Sequence, residues 1–226
     1  MSAPQFLAAG PVVSDSRKLT VAWPAGHRAR DLGLLIVETG AGDDTVTLTG
    51  WTHVVGSPLV DVSGGSGSKF QLLWKQAVTD SEPQVSIPDG GDHGLACIAV
   101  FRGGPLGGLP FSAVATATKT SASTLATLPS VGVSVPNTLV LLLCSRPNDN
   151  NSTSVYGEPV NGSLTQLAKR LEGGSSQGNG GGFALFTGLM AAPGSVPATT
   201  VSQTVSTTNA CFSLALPPMR RFARTS

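Results

Sequence analysis

Between the turn-forming cluster Asp89-Gly90-Gly91-Asp92 and the breakers Gly103-Gly104-Pro105 runs an uninterrupted apolar segment, Leu95 to Phe101. It is far shorter than the roughly 20 apolar residues that cross a bilayer, and its spacing is too weakly helical for a surface helix. Such a run reads as a central strand buried on both faces. A second run, Ala210 to Leu216 before Pro217-Pro218, opens with the same Ala-Cys pair about 114 positions later. The chain therefore reads as two related halves.

Composition supports strands over helices. Gly 28, Pro 16 and only 12% charged residues, with abundant Ser, Thr and Val, favour short strands punctuated by turns. A hydrophobic fraction of 40% over 226 residues is enough to fill a core. The net charge of +1 leaves no broad basic surface for a nucleic-acid backbone, so no nucleic-acid partner is expected. No stretch has the length of a membrane span, and the first twenty residues, with Gln5, Asp15, Arg17 and Lys18, lack a secretory pattern, which predicts no membrane partner and synthesis without export.

The first half, about residues 17–105, holds strand patterns at Lys18–Trp23, Asp31–Thr39, Gly50–Val55, Lys69–Ala77, Gln84–Ile87 and Leu95–Phe101. The second, about 130–218, answers with Asn137–Ser145, Gly162–Arg170, Phe183–Ala191, Thr199–Thr207 and Ala210–Leu216. Phe111–Pro129 between them reads as an exposed strand pair or a connector. Two four-strand units, each unable to cover its own apolar face, predict one all-β domain over 1–226: an antiparallel β-sandwich, jelly-roll-like. A pair of immunoglobulin-like domains is the alternative, but no clear linker separates the halves.

Chemistry is sparse. Asp89, Asp92 and His93 are the nearest approach to a cation site, yet the same residues make an ordinary aspartate turn. His27, His53 and His93 show no metal-ligand spacing, and Cys97, Cys144 and Cys211 form no CxxC pair, which predicts buried free thiols, no metal and no cofactor. Trp51 after Gly50 reads as a plug beneath a turn or as a ligand-stacking ring. The glycines at 173–174, 178 and 180–182 lack a following Lys-Ser/Thr and read as a hairpin tip. No nucleophile elbow or carboxylate pair stands out, so no enzyme is expected. After Pro217-Pro218, Arg220, Arg221, Phe222 and Arg224 lie in a basic tail (219–226) that reads as a solvated end or as an arm docking on a neighbouring subunit.

Taken together, Arg30 to Thr39, Gly50-Trp51-Thr52-His53-Val54, Leu73 to Ala77, Asp92-His93 through Phe101-Arg102-Gly103, Gly180 to Ala184 and Leu214 to Pro218 resemble a family of tailed-bacteriophage virion proteins. The resemblance runs in order from about Pro4 to Pro218. It implies a β-sandwich subunit of the particle, of head-decoration or tail and neck type, that works through contacts with other virion proteins and as a homo-oligomer, and it carries over no catalytic or binding residues. Members of that family usually have Gly-Asp before the first core strand, where this chain has Arg30-Asp31. A lectin-like carbohydrate- or receptor-binding module, with Trp51 and the 89–93 loop as candidates, is the alternative, and a glycan hydrolase a third.

Overall fold

A computed structural model describes residues 2–61, 67–88, 91, 93–178 and 180–219. In chain order the strands of the first half are β1 (Gln5–Ala9), β2 (Val13–Asp15), β3 (Leu19–Val21), β4 (Leu32–Gly40), β5 (Thr52–His53), β6 (Leu59–Val60), β7 (Ser68–Gln76), β8 (Val85–Ile87) and β9 (Gly94–Arg102). Those of the second are β10 (Ala113–Leu128), β11 (Val131–Val133), β12 (Thr138–Arg146), β13 (Tyr156–Val160), β14 (Thr165–Ser175), β15 (Gly181–Met190), β16 (Gly194–Val196) and β17 (Thr199–Leu216).

Each half makes its own antiparallel sheet. The first has the order β1-β9-β4-β7-β5, with β2 on β9 and β6 on β7; the second has β10-β17-β12-β15-β14, with β13 on β17. Position for position, β1 answers to β10, β9 to β17, β4 to β12, β7 to β15 and β5 to β14. The sheets face each other as a two-fold axis would set them. Thus Arg170 of β14 lies over the Phe6 ring of β1 at 5.6 Å, while Thr116 of β10 packs against Gly56 beside β5. The molecule is an antiparallel β-sandwich of two related halves.

The long apolar runs follow from a four-layer arrangement. Between the sheets, Leu34, Ile36, Phe70, Cys97 and Phe101 meet Leu141, Leu143, Phe183, Phe212 and Leu214. The other face of the first sheet (Leu35, Val37, Ile98, Val100) lies under the two-stranded β3–β8 piece with Trp23 and Val46. The other face of the second (Val140, Leu142, Cys144, Phe186) lies under β11–β16 and the far ends of β10 and β17, which bring in Ala126, Leu128 and Val201. Strands covered on both sides have no polar face to show, and β4, β9 and β12 read as unbroken apolar runs for that reason.

Two expectations need correcting. Thr199–Thr207 does not match Gln84–Ile87: β8 pairs with β3 as β16 pairs with β11, and Thr199–Thr207 is the first stretch of β17. The Ala-Cys repeat is also one residue out of frame. Leu32 lies opposite Phe101 and Leu139 opposite Leu216; four residues along, Ile36 lies opposite Cys97 and Leu143 opposite Phe212. Cys97 therefore corresponds to Phe212 and points between the sheets, whereas Cys211 points to the outer cluster. The region 111–129 forms β10, a single edge strand that pairs with β17.

Candidate functional site

The buried polar groups gather where β4 and β12 end and β9 and β15 begin. Alternation along β4 turns Glu38 to the same side as Leu34 and Ile36, so its carboxyl enters the space between the sheets. Its Oε1 lies 3.2 Å from His93 Nε2, and both side chains are buried. On the opposite sheet Gly181 leaves room for the carboxyl, since a Cβ there would collide with it. Oε2 has no hydrogen-bond partner among the described residues. Burial pushes the carboxyl from its ordinary 4.5 up to about 7, against the pull of His93 and Arg146, and Asp61 adds to the rise.

Beside it Asp61 ties the halves together, accepting from Ser68 N at 2.7 Å and from Thr208 Oγ1 at 2.6 Å. Asn209 Nδ2 donates to Ser145 O at 2.9 Å, and Asn209 and Gln203 bond through their amides at 3.0 and 3.2 Å. On the far side of the second sheet, Arg146 is fully buried. Its Nη2 donates to Asn150 O (3.1 Å) and Ser152 O (3.2 Å), and its guanidinium stands 5.3 Å over the Tyr156 ring. Nη1 is 3.9 Å from Glu172 Oε1, whose oxygens also accept from Val155 N, Tyr156 N and Lys169 Nζ. Gly174 and Gly182 flank the guanidinium so closely that neither has room for a Cβ.

The glycine-rich segment therefore does more than turn the chain. Gly173 and Gly174 belong to β14, and Gly181 and Gly182 to β15; three of these four make the spaces for Glu38 and Arg146. Gly-Gly at two strand ends facing a Glu and an Arg at two others was the signal for this, legible only once the strands are paired.

The remaining candidates have structural partners. His27 Nδ1 donates to Pro24 O while Nε2 accepts from Glu82 N, both at 2.9 Å, and His53 contacts Val46 O and Ser57 Oγ. Trp51 is half-buried and packs on Trp23, ring centres 5.6 Å apart, beside a cleft of about 190 Å³ that Lys75 and Gln84 also line. The three cysteines are free and buried, and burial pushes Cys97 and Cys144 up to about 12. Among the described residues no group of three or more His, Cys, Asp or Glu could hold a metal. Asp89, Asp92 and the arm residues Arg220, Arg221, Phe222 and Arg224 lie outside the described residues.

A larger cavity, about 490 Å³, sits at the opposite end, where Pro105, Leu106, Val135, Pro217 and Met219 form its walls. Among the described residues Arg30 is the one ionisable side chain lining it, and these bring no acid and base together. What the fold leaves open is backbone. The sixteen residues of β10 carry one charge, Lys119, and among the described residues the strand has a single neighbour, β17. Comparison with family models, with curated proteins and with solved structures finds no match for this chain.

Proposed function

We propose that the chain is a non-enzymatic structural subunit of a bacteriophage virion, a head-decoration or tail- or neck-associated protein that acts through subunit contacts. The observation that carries this reading is the open edge of β10. A long, nearly uncharged strand edge is a template for pairing, and soluble monomers normally shorten, charge or cover such edges. The other edges are guarded: β5 has two residues and β1 five, and Glu172 of β14 holds the backbone of Val155 and Tyr156 against that strand. The polar groups tell the same story, because Glu38, Asp61 and Arg146 are spent inside the fold holding its layers in register. The resemblance drawn above supplies the setting, a particle in which such an edge is covered on assembly.

The test is mass spectrometry of purified phage particles from cells expressing this chain. The proposal expects the chain in fixed stoichiometry with the particle proteins after gradient purification. Its abundance in the lysate together with its absence from washed particles would sink the reading. A lectin-like module is the second reading, favoured by the Trp51 cleft with Lys75 and Gln84; a glycan array in which Trp51→Ala abolishes binding would establish it instead.

A further inference from the structure

We propose that β10 pairs with β10 of a second copy, antiparallel about a two-fold axis at Thr116, so that two second-half sheets join edge to edge. The inference deepens the building-block reading and rests on it for its biological setting. Its first ground is the backbone edge of Ala113–Lys119, a stretch that holds unbroken register with Ala215–Asn209 on one side and, among the described residues, has no strand on the other.

The second ground is independent. Two of the exposed large apolar side chains, Val55 (63%) and Leu109 (66%), stand beside this stretch, lining with Phe111 and Val114 a small cavity against its first residues. Apolar groups exposed alongside an open edge mark a surface that is covered in use.

The choice of a second copy rather than a different protein comes from the side chains. About an axis at Thr116, Ala115 falls opposite the partner's Ala117, Val114 opposite the partner's Thr118, and Ala113 opposite the partner's Lys119. Alanine then meets alanine, threonine meets threonine and valine meets threonine, while the lysines go to opposite ends of the ribbon and do not repel. Each lysine also arrives where there is room. Beside Ala113 lies an open, mainly apolar groove of about 500 Å³ lined by Ser112, Gly132, Val133, Ser134 and Gly194, where the lysine stem can lie with its ammonium in solvent. Within one chain Lys119 Nζ donates to Leu125 O at 3.2 Å.

Sedimentation velocity on the purified full chain, run to about 100 µM, reads the pairing directly. A dimer is expected, and Thr116→Lys, which sets two like charges face to face at the axis, weakens it at least about tenfold. Thr116 is exposed but touches Gly56, so the variant's melting temperature is checked against the parent's, and Val55→Asp, outside the strand, is the second probe where the two differ. Under a mild oxidant Thr116→Cys gives a covalent dimer, because opposite residues lie about 4.5–5.5 Å apart at Cα, within disulfide reach, whereas Thr124→Cys gives none. A chain monomeric throughout, or a dimer indifferent to both probes, overturns the inference. Recovery of a monomeric chain from washed particles would refute the pairing and leave the virion role standing; a dimer absent from particles would do the reverse.

Discussion

The two halves follow one path through their sheets and differ in where they bury charge. In the first, Glu38 points inward, into the layer that both sheets share. In the second, Arg146 points outward, beneath the loop that carries Asn150 and Ser152. The inner position offers the carboxylate one imidazole and a wall of side chains, so its ionised form is held poorly and its proton affinity rises. The outer position offers the guanidinium two carbonyls, an aromatic face and a carboxylate that two backbone N–H groups and a lysine already steady. A duplicated fold thus accommodates opposite charges at one end by opposite means, holding one by Nη2 under a loop while its Nε and Nη1 have no hydrogen-bond partner among the described residues, and leaving the other to titrate.

The sharpest way to break this comparison is Arg146→Met. Truncating a buried charge that others depend on removes about 3–5 kcal/mol, and here it strands the Asn150 and Ser152 carbonyls and the Nη1-facing side of Glu172. Chemical denaturation should show a large drop in midpoint with unchanged slope. A loss below about 1 kcal/mol would mean that the loop is not built on the arginine. Gly181→Ala should come next, at about 2–3 kcal/mol, because its new Cβ occupies the carboxyl's space on the facing sheet. Gly132→Ala, in an equally extended strand but with nothing within 4 Å of its Cβ, is the control and should cost nothing.

These contrasts also mark how far the sequence could be read. Leu32–Thr39, Leu95–Phe101 and Leu139–Ser145 are legible as strands because covering layers on both sides leave them apolar over most of their length. The frame between the halves is not, since an Ala-Cys pair matches letters while side-chain direction alternates at every residue, so a slip by one exchanges inner and outer faces. Arg146 before Pro147 looks like the polar end of a run, and only the pairing of β12 with β15 and of β15 with β14 lines it up with Gly182 and Gly174. His93 belonged on paper to an aspartate turn; in the fold it faces Glu38, a residue that an isolated apolar strand gives no reason to single out. β10 is ambiguous in the sequence because Ala, Thr and Ser in alternation carry little hydrophobic contrast.

A third measurement sharpens the titrating side. Glu38 ionises near its ordinary 4.5 when unfolded and at about 7 when folded, so between those values the folded state keeps a proton that the unfolded state has released. The favourable contribution is complete below about 4.5 and is lost as pH rises through 7, on the order of 3 kcal/mol for a shift of this size. The charged groups that bear on it, His93, Asp61 and Arg146, are largely held by partners of their own. Melting temperatures followed from pH 5 to pH 8 should fall more steeply in the parent than in Glu38→Gln. Parallel profiles would show that the carboxyl is ionised throughout and that the two ends are alike after all.

The smallest effect tests the turn that enters each central strand. Arg30 before β4 and Asn137 before β12 occupy equivalent places, and both sit in the left-handed region, with φ of 75° and 60°. That conformation strains a side chain with a Cβ, but asparagine tolerates it better than arginine does. Glycine is the one residue for which the conformation carries no strain. Asp31 fixes the turn whatever precedes it, accepting from Arg28 N at 2.8 Å and from Arg102 Nε and Nη2 at 2.8 and 2.6 Å. Arg30→Gly should therefore raise stability by about 0.5–1 kcal/mol, strain relief offset in part by the freer unfolded chain, while Asn137→Gly changes little. Equal gains at both sites, or a loss at Arg30, would mean that the arginine side chain is held in the cavity it lines more firmly than its backbone is strained.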